Sequence, residues 1–214
     1  MNATRVLNCA GRGLGMILLA FPLLSVVPGR AAEVVATITG IVENAQDTFG
    51  IFGVGPNLNG QPFVAVFTFD DRKGKAQPPG STCPDAGTGI EGAGADSPGK
   101  ATLTIAGKTL AFGATRFTSS DVLRHIATAC SESFVGFNVY DRVIPSETYG
   151  INIAVAPKDP KRPITTDPDW RKPVATTNVA GNTNTNGFGF SRVGDYWHAT
   201  GGTLEVETLT IVRK

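Results

Sequence analysis

The chain has 214 residues, with 19 lysines and arginines against 18 aspartates and glutamates, for a formal charge of +1. That balance excludes the strongly basic surface that nucleic-acid binding requires. The 26 glycines and 14 prolines divide the apolar residues into short runs, which favours many turns over long helices.

The first 31 residues read as a targeting segment. Arg5 and Arg12 form a basic start, and Leu14–Val27 is an apolar core interrupted by Pro22. Pro28 and Gly29 break any helix, and Gly29-x-Ala31 has the small-x-small form of a cleavage site. The apolar run is shorter than the ~20 residues that span a bilayer, and no cysteine stands at the cleavage point, which argues against a lipoprotein. The expectation is a cleaved signal peptide and a mature chain from about Ala32, secreted or periplasmic and without a transmembrane segment. Removing the segment's three arginines leaves 16 basic and 18 acidic residues, a formal charge of −2. The remaining residues suit one domain, 32–214, because all-β domains often run to this length.

The stretch from Val34 to Asp71 sets the architecture. Val35, Thr37 and Thr39 alternate with Ala36, Ile38 and Gly40, and Phe63, Ala65, Phe67 and Phe69 share a face of a second run. Period two with β-branched and aromatic residues predicts two strands. Gly50, Gly53, Gly55, Pro56 and Gly60 lie between them and predict tight turns, with Phe49, Ile51, Phe52 and Leu58 pinning that connection to a core.

The pattern Gly40-x-Val42, Asp47-x-x-Gly50-x-Phe52-Gly53, Leu58-x-Gly60 and Phe63 through Asp70 resembles a family of exported bacterial β-domains. It is similar to the ectodomains of proteins bearing a Pro-Glu-Pro C-terminal sorting signal. Ala101–Phe112 and Gly202–Ile211 are weaker matches, and no Pro-Glu-Pro segment follows Ile211. The resemblance implies export and a β-domain, and it carries no assigned biochemical role.

Residues 71–99 read as a long polar Gly/Pro-rich loop, too poor in apolar residues to build a core. Lys100–Phe112 reads as a hairpin turning at Ala106-Gly107. Ser119–Thr128 reads as a strand in preference to a helix capped by Ser120-Asp121. Ser133–Asp141 and Tyr149–Ala156 alternate as strands, with Tyr149, Ile151, Ile153 and Val155 on one face. Residues 157–173 hold five prolines, five basic residues, three aspartates and Trp170, and read as an extended exposed loop. A last strand covers Thr203–Val212. The fold expected is all-β: an antiparallel β-sandwich, jelly-roll-like or Ig-like, with long Gly/Pro-rich loops.

Two cysteines remain in the mature chain, Cys83 and Cys130. In an oxidising compartment they are expected to pair. The bridge would close 47 residues and stabilise the fold by about 4 kcal/mol on chain entropy.

Chemistry is sparse. The sequence has no GxSxG, HExxH or P-loop motif, and its two histidines, His125 and His198, have none around them. Asp47, Asp70 and Asp71 are the candidate Ca²⁺ ligands, although turn-forming roles explain them as well; no other cofactor is implied. Trp170 is the candidate anchor of a binding loop, with Arg162, Arg171 and Lys172, together with Lys161, as cations that steer an acidic partner. The leading reading is a non-catalytic exported protein that binds polysaccharide or a surface protein. The alternatives are a structural or assembly component of the cell surface or matrix, and a secreted hydrolase with a carboxylate-based site.

Overall fold

The structure is a computed structural model that describes residues 32–77, 87–126, 133–143, 147–159, 161–181, 187–192 and 199–214. Residues 1–31, expected to be a signal peptide, and Cys83, Cys130 and His198 lie outside these residues, as does the expected Cys83–Cys130 bridge. One compact unit, Ala31–Lys214, contains every strand among the described residues. Among the described residues no helix is long and apolar enough to cross a membrane.

The strands are β1 (Glu33–Asp47), β2 (Pro62–Asp70), β3 (Lys75–Gln77), β4 (Gly87–Ala93), β5 (Gly99–Ile105), β6 (Lys108–Phe112) and β7 (Ser119–His125). They continue with β8 (Phe134–Val143), β9 (Glu147–Pro157), β10 (Val174–Thr176), β11 (Val179–Gly181), β12 (Gly187–Arg192) and β13 (Ala199–Arg213). Of the described residues, 65% are in strands and 2% in helix, so the all-β expectation holds. Every pairing among these strands is antiparallel.

The strands hydrogen-bond in the order β3-β4-β7-β8-β9-β12-β13-β1-β2-β5-β6, one continuous sheet curled into a half-barrel. Layering therefore comes from curl, which brings the β2 wing over the β8 wing without a break in the ladder. The contact between wings is aromatic. Phe67 of β2 stacks on Phe137 of β8 with ring centroids 5.2 Å apart, and Phe69 lies 6.4 Å from the same ring.

The two-residue period explains the core. Val34, Ala36, Ile38 and Val42 of β1 are buried, as are Phe63, Ala65, Phe67 and Phe69 of β2 and Ile151, Ile153 and Val155 of β9. The β5–β6 hairpin turns where predicted: Ile105 pairs with Lys108, and Ala106 and Gly107 both have positive φ, 49° and 80°. Those angles define the type I′ turn whose twist matches the strands.

The long β1–β13 pair carries two irregularities. One falls between Thr39 and Gly40 and leaves Glu207 unpaired, so that β13 buries Leu204 and Val206 before it and Leu209 and Ile211 after it. Gly40 is obligatory there, because a Cβ at that position would lie 1.9 Å from the Glu205 carbonyl oxygen. The other falls between Glu43 and Gln46, where Asn44 takes φ 43°. Bulges of this kind bend and twist a sheet, as the curl requires.

One loop expectation is corrected. Residues 71–99 are not a single loop: β3 and β4 arise from them, β4 pairs along its full length with β7, and Ile90 is buried. Sparse apolar content was sufficient because a strand with a partner needs only one inward side chain every second residue. The described residues of 158–173 do run without a strand between β9 and β10.

Candidate functional site

The predicted binding loop does not present its tryptophan. Trp170 is 5% exposed and meets Phe69 edge to face at 6.2 Å between centroids. The loop is drawn down by Arg124, a residue that sequence reasoning missed. Its side chain is fully buried, and it donates from Nη1 to the Asp169 carbonyl at 2.6 Å and from Nη2 to the Lys172 carbonyl at 2.7 Å. Desolvation lowers the Arg124 pKa, and Asp167 and Asp169 act in the opposite sense. Thr88 adds a hydrogen bond to the Pro168 carbonyl at 2.9 Å. The exposed-anchor expectation for Trp170 is therefore corrected: a large apolar ring with Phe69 to pack on is stabilised more by burial than by display.

Arg162, Arg171 and Lys172 are exposed, as expected of them, but two are paired within their own loop. Arg162 lies 3.8 Å from Asp159, and Arg171 lies 2.8 Å from Asp169. This pairing cancels much of the positive field assigned to the loop.

The candidate calcium ligands are dispersed, which corrects their grouping as one site. Asp47 stands at the end of β1 remote from Glu33, whose register partner is Asp70. Its carboxylate accepts from the backbone N–H of Ile51 and Phe52, each at 2.7 Å, and from Thr200 Oγ1 at 2.9 Å. These bonds pin the glycine-rich connection. Asp70 is bidentate with Arg72, and Asp71 pairs with Arg213 at 3.1 Å. Among the described residues no three acidic, histidine or cysteine side chains gather as a metal site. Asp141 plays a role like that of Asp47. Fully buried, it accepts from the Gly113 N–H at 2.6 Å, from Thr115 Oγ1 at 3.2 Å and from Thr118 Oγ1, which ties the β6–β7 connection to β8.

What the fold does bring together lies on the outward face of β4, β7, β8 and β9. In β8, Val135, Phe137 and Val139 point inward, so Phe134, Gly136, Asn138 and Tyr140 form the outward line. Register places Glu91, Asp121, Asn138 and Asn152 side by side across the four strands. One step along, Leu123, Gly136 and Ala154 form a row of low relief. A groove of ≈ 360 Å³ follows this relief, bounded by Asp121, Asn138 and Asn152 on one side and Phe134 on the other, with Gly136, Ala154 and Ala156 in its lining.

The ends of the outward line are aromatic. Phe134 stacks on His125 at 4.5 Å between ring centroids. Tyr140 is 41% exposed and lies across Gly150, where a Cβ would fall 2.2 Å from its ring. Asp121 accepts from Asn138 Nδ2 at 3.1 Å. Burial raises the Asp121 pKa, the Asn138 hydrogen bond lowers it, and the nearby Glu91 charge raises it; the net direction is upward. Asn138 Oδ1 is buried and unpartnered. Glu91 and Asp121 also line a second recess of ≈ 680 Å³, shared with Arg72, Lys73 and Lys75.

This face had a sequence signal that went unread. In SFVGFNVYD and YGINIAVA the apolar phases announce the core, and the opposite phases read Phe-Gly-Asn-Tyr and Gly-Asn-Ala-Ala. Small residues interleaved with amides and aromatics are unusual for a merely solvated face, where charged side chains are ordinary. Comparison of the chain with protein-family models, with curated proteins and with solved structures finds no match.

Proposed function

We propose that this chain is an exported, non-catalytic β-domain that binds polysaccharide or a surface protein through the outward face of β8 and its neighbours. The observation that carries the reading is the outward line Phe134, Gly136, Asn138 and Tyr140 beside the carboxylate of Asp121. A few oriented polar groups next to aromatic surface over a small-residue floor are the usual elements of a small-ligand or glycan site. The signal-like first 31 residues and the resemblance to exported β-domains support export.

Tyr140→Ala tests the face. Tyr140 is 41% exposed, so its loss should leave thermal stability nearly unchanged while the purified protein loses retention on matrix polysaccharide from culture. Full retention by Tyr140→Ala and by Phe134→Ala would refute this assignment.

A second reading, a hydrolase, is favoured by one observation. Glu91 and Asp121 are opposite partners across β4 and β7 in the same recess, and opposite residues carry Cβ atoms about 5 Å apart. Burial pushes Asp121 toward its protonated form, as a general acid would need. Release of reducing ends from a glycan by the purified protein, lost in Glu91→Gln, would establish this reading and displace the first.

A further inference from the structure

The charge and relief of the β8 face narrow the kind of ligand it takes. Asp121 is the one ionisable side chain among the described residues that line the groove, and no lysine or arginine is among them. A uronate, sulfate or phosphate placed there would meet a partly desolvated carboxylate with no cation to offset it, which is repulsive at close range. The lysines of the 157–173 loop do not line the groove.

The remaining chemistry suits hydroxyl groups. A carboxylate accepts hydrogen bonds from hydroxyls more strongly than a neutral acceptor does, and an asparagine amide both donates and accepts. Asp121, Asn138 and Asn152 are adjacent in one cross-strand row, so they can serve neighbouring hydroxyls of one ring. Gly136 and Ala154 are register partners and leave space for that ring close to the backbone. An extended strand advances about 3.3 Å per residue, which separates Phe134 from Tyr140 by about 20 Å. That length suits a chain of several rings better than a single sugar.

We propose, resting on the binding reading above, that the outward line of β8 holds a neutral glycan chain laid along the strand. Ring faces lie on Phe134 and Tyr140, and hydroxyls reach Asp121, Asn138 and Asn152. The exposed face of Tyr140 is held in place because its other face covers Gly150, so little freedom is lost when a sugar stacks on it.

The test is direct binding of the purified full chain to neutral di-, tetra- and hexasaccharides of the gluco, xylo, manno, galacto and N-acetylglucosamine series. Uronic-acid and sulfated hexasaccharides form the acidic arm. The expected result is binding of at least one neutral series, with the tetra- and hexasaccharides about tenfold or more tighter than the disaccharide, and no binding of the acidic arm. Asp121→Asn, which preserves shape, should weaken the neutral ligand by about tenfold, as for loss of a charged hydrogen bond. Lys161→Ala, in the 157–173 loop, should change nothing. Acidic hexasaccharides that bind as tightly as neutral ones, with binding lost in Tyr140→Ala, would overturn the neutral-glycan assignment and leave the face as a binding site. Failure of every neutral series would also overturn it. Neutral binding unaffected by Tyr140→Ala and Phe134→Ala would overturn the face itself.

Discussion

Replacing Trp170 with alanine separates a packing role from a binding role. Trp170 is 5% exposed, touches Phe69 edge to face, and belongs to a loop whose carbonyls are held by Arg124. Truncating a buried tryptophan removes its transfer free energy and leaves a cavity, typically at a cost of 3–5 kcal/mol, so about 4 kcal/mol is expected here. In a domain of this length 1 kcal/mol shifts Tm by roughly 2–4 °C, so the fall should be on the order of 10 °C. Calorimetry or circular dichroism is the suitable assay, because the substitution removes one of the protein's two tryptophans and so weakens a fluorescence signal. Trp170→Phe should recover part of the loss. A fall of less than about 1 kcal/mol, the scale of ordinary surface substitutions, combined with loss of ligand retention, would refute the packing argument and restore the loop as the contact surface.

Two further outcomes follow from single residues. Gly40→Ala should destabilise by about 1–3 kcal/mol, as overpacking does, because the new Cβ would lie 1.9 Å from the Glu205 carbonyl oxygen and 2.9 Å from the Phe63 ring; urea unfolding checks this, and an unchanged midpoint would mean the bulge relaxes freely. Asp121→Asn should raise stability at pH 7. The folded pKa of Asp121 is raised, so the native state holds this proton to higher pH than the unfolded chain does. The resulting destabilisation is absent below about pH 4 and complete once pH exceeds the folded value. Melting curves of the two proteins should therefore converge in acid and separate toward neutrality, and parallel curves would contradict the assigned direction.

The long strands were legible in the sequence. Alternation in EVVATITGIV, PFVAVFTF and GINIAV is a local property, because a pleated strand turns successive side chains to opposite faces whatever it pairs with. The I′ turn at Ala106-Gly107 and the strand-free run after Pro157 were legible for the same reason: turn chemistry and proline act on their own backbone. The site was half legible. The outward phase of SFVGFNVYD was in the letters, but nothing local said that Asp121 and Asn152 would flank Asn138, since register is a relation between distant segments. Tertiary structure alone decided that Trp170 points inward: only a neighbouring Phe69 and a buried Arg124 make the interior the favourable place for a ring on a proline-rich loop. It alone recruited Lys75–Gln77 and Gly87–Ala93 into the sheet, where β7 supplied β4 with the hydrogen bonds that a polar segment could not supply itself. It also gave Asp141 its work, because a buried carboxylate is tolerated only where several donors converge on it, and its donors come from the β6–β7 connection more than 20 residues away; Asp47 draws its donors from the adjacent turn and from its β13 partner Thr200.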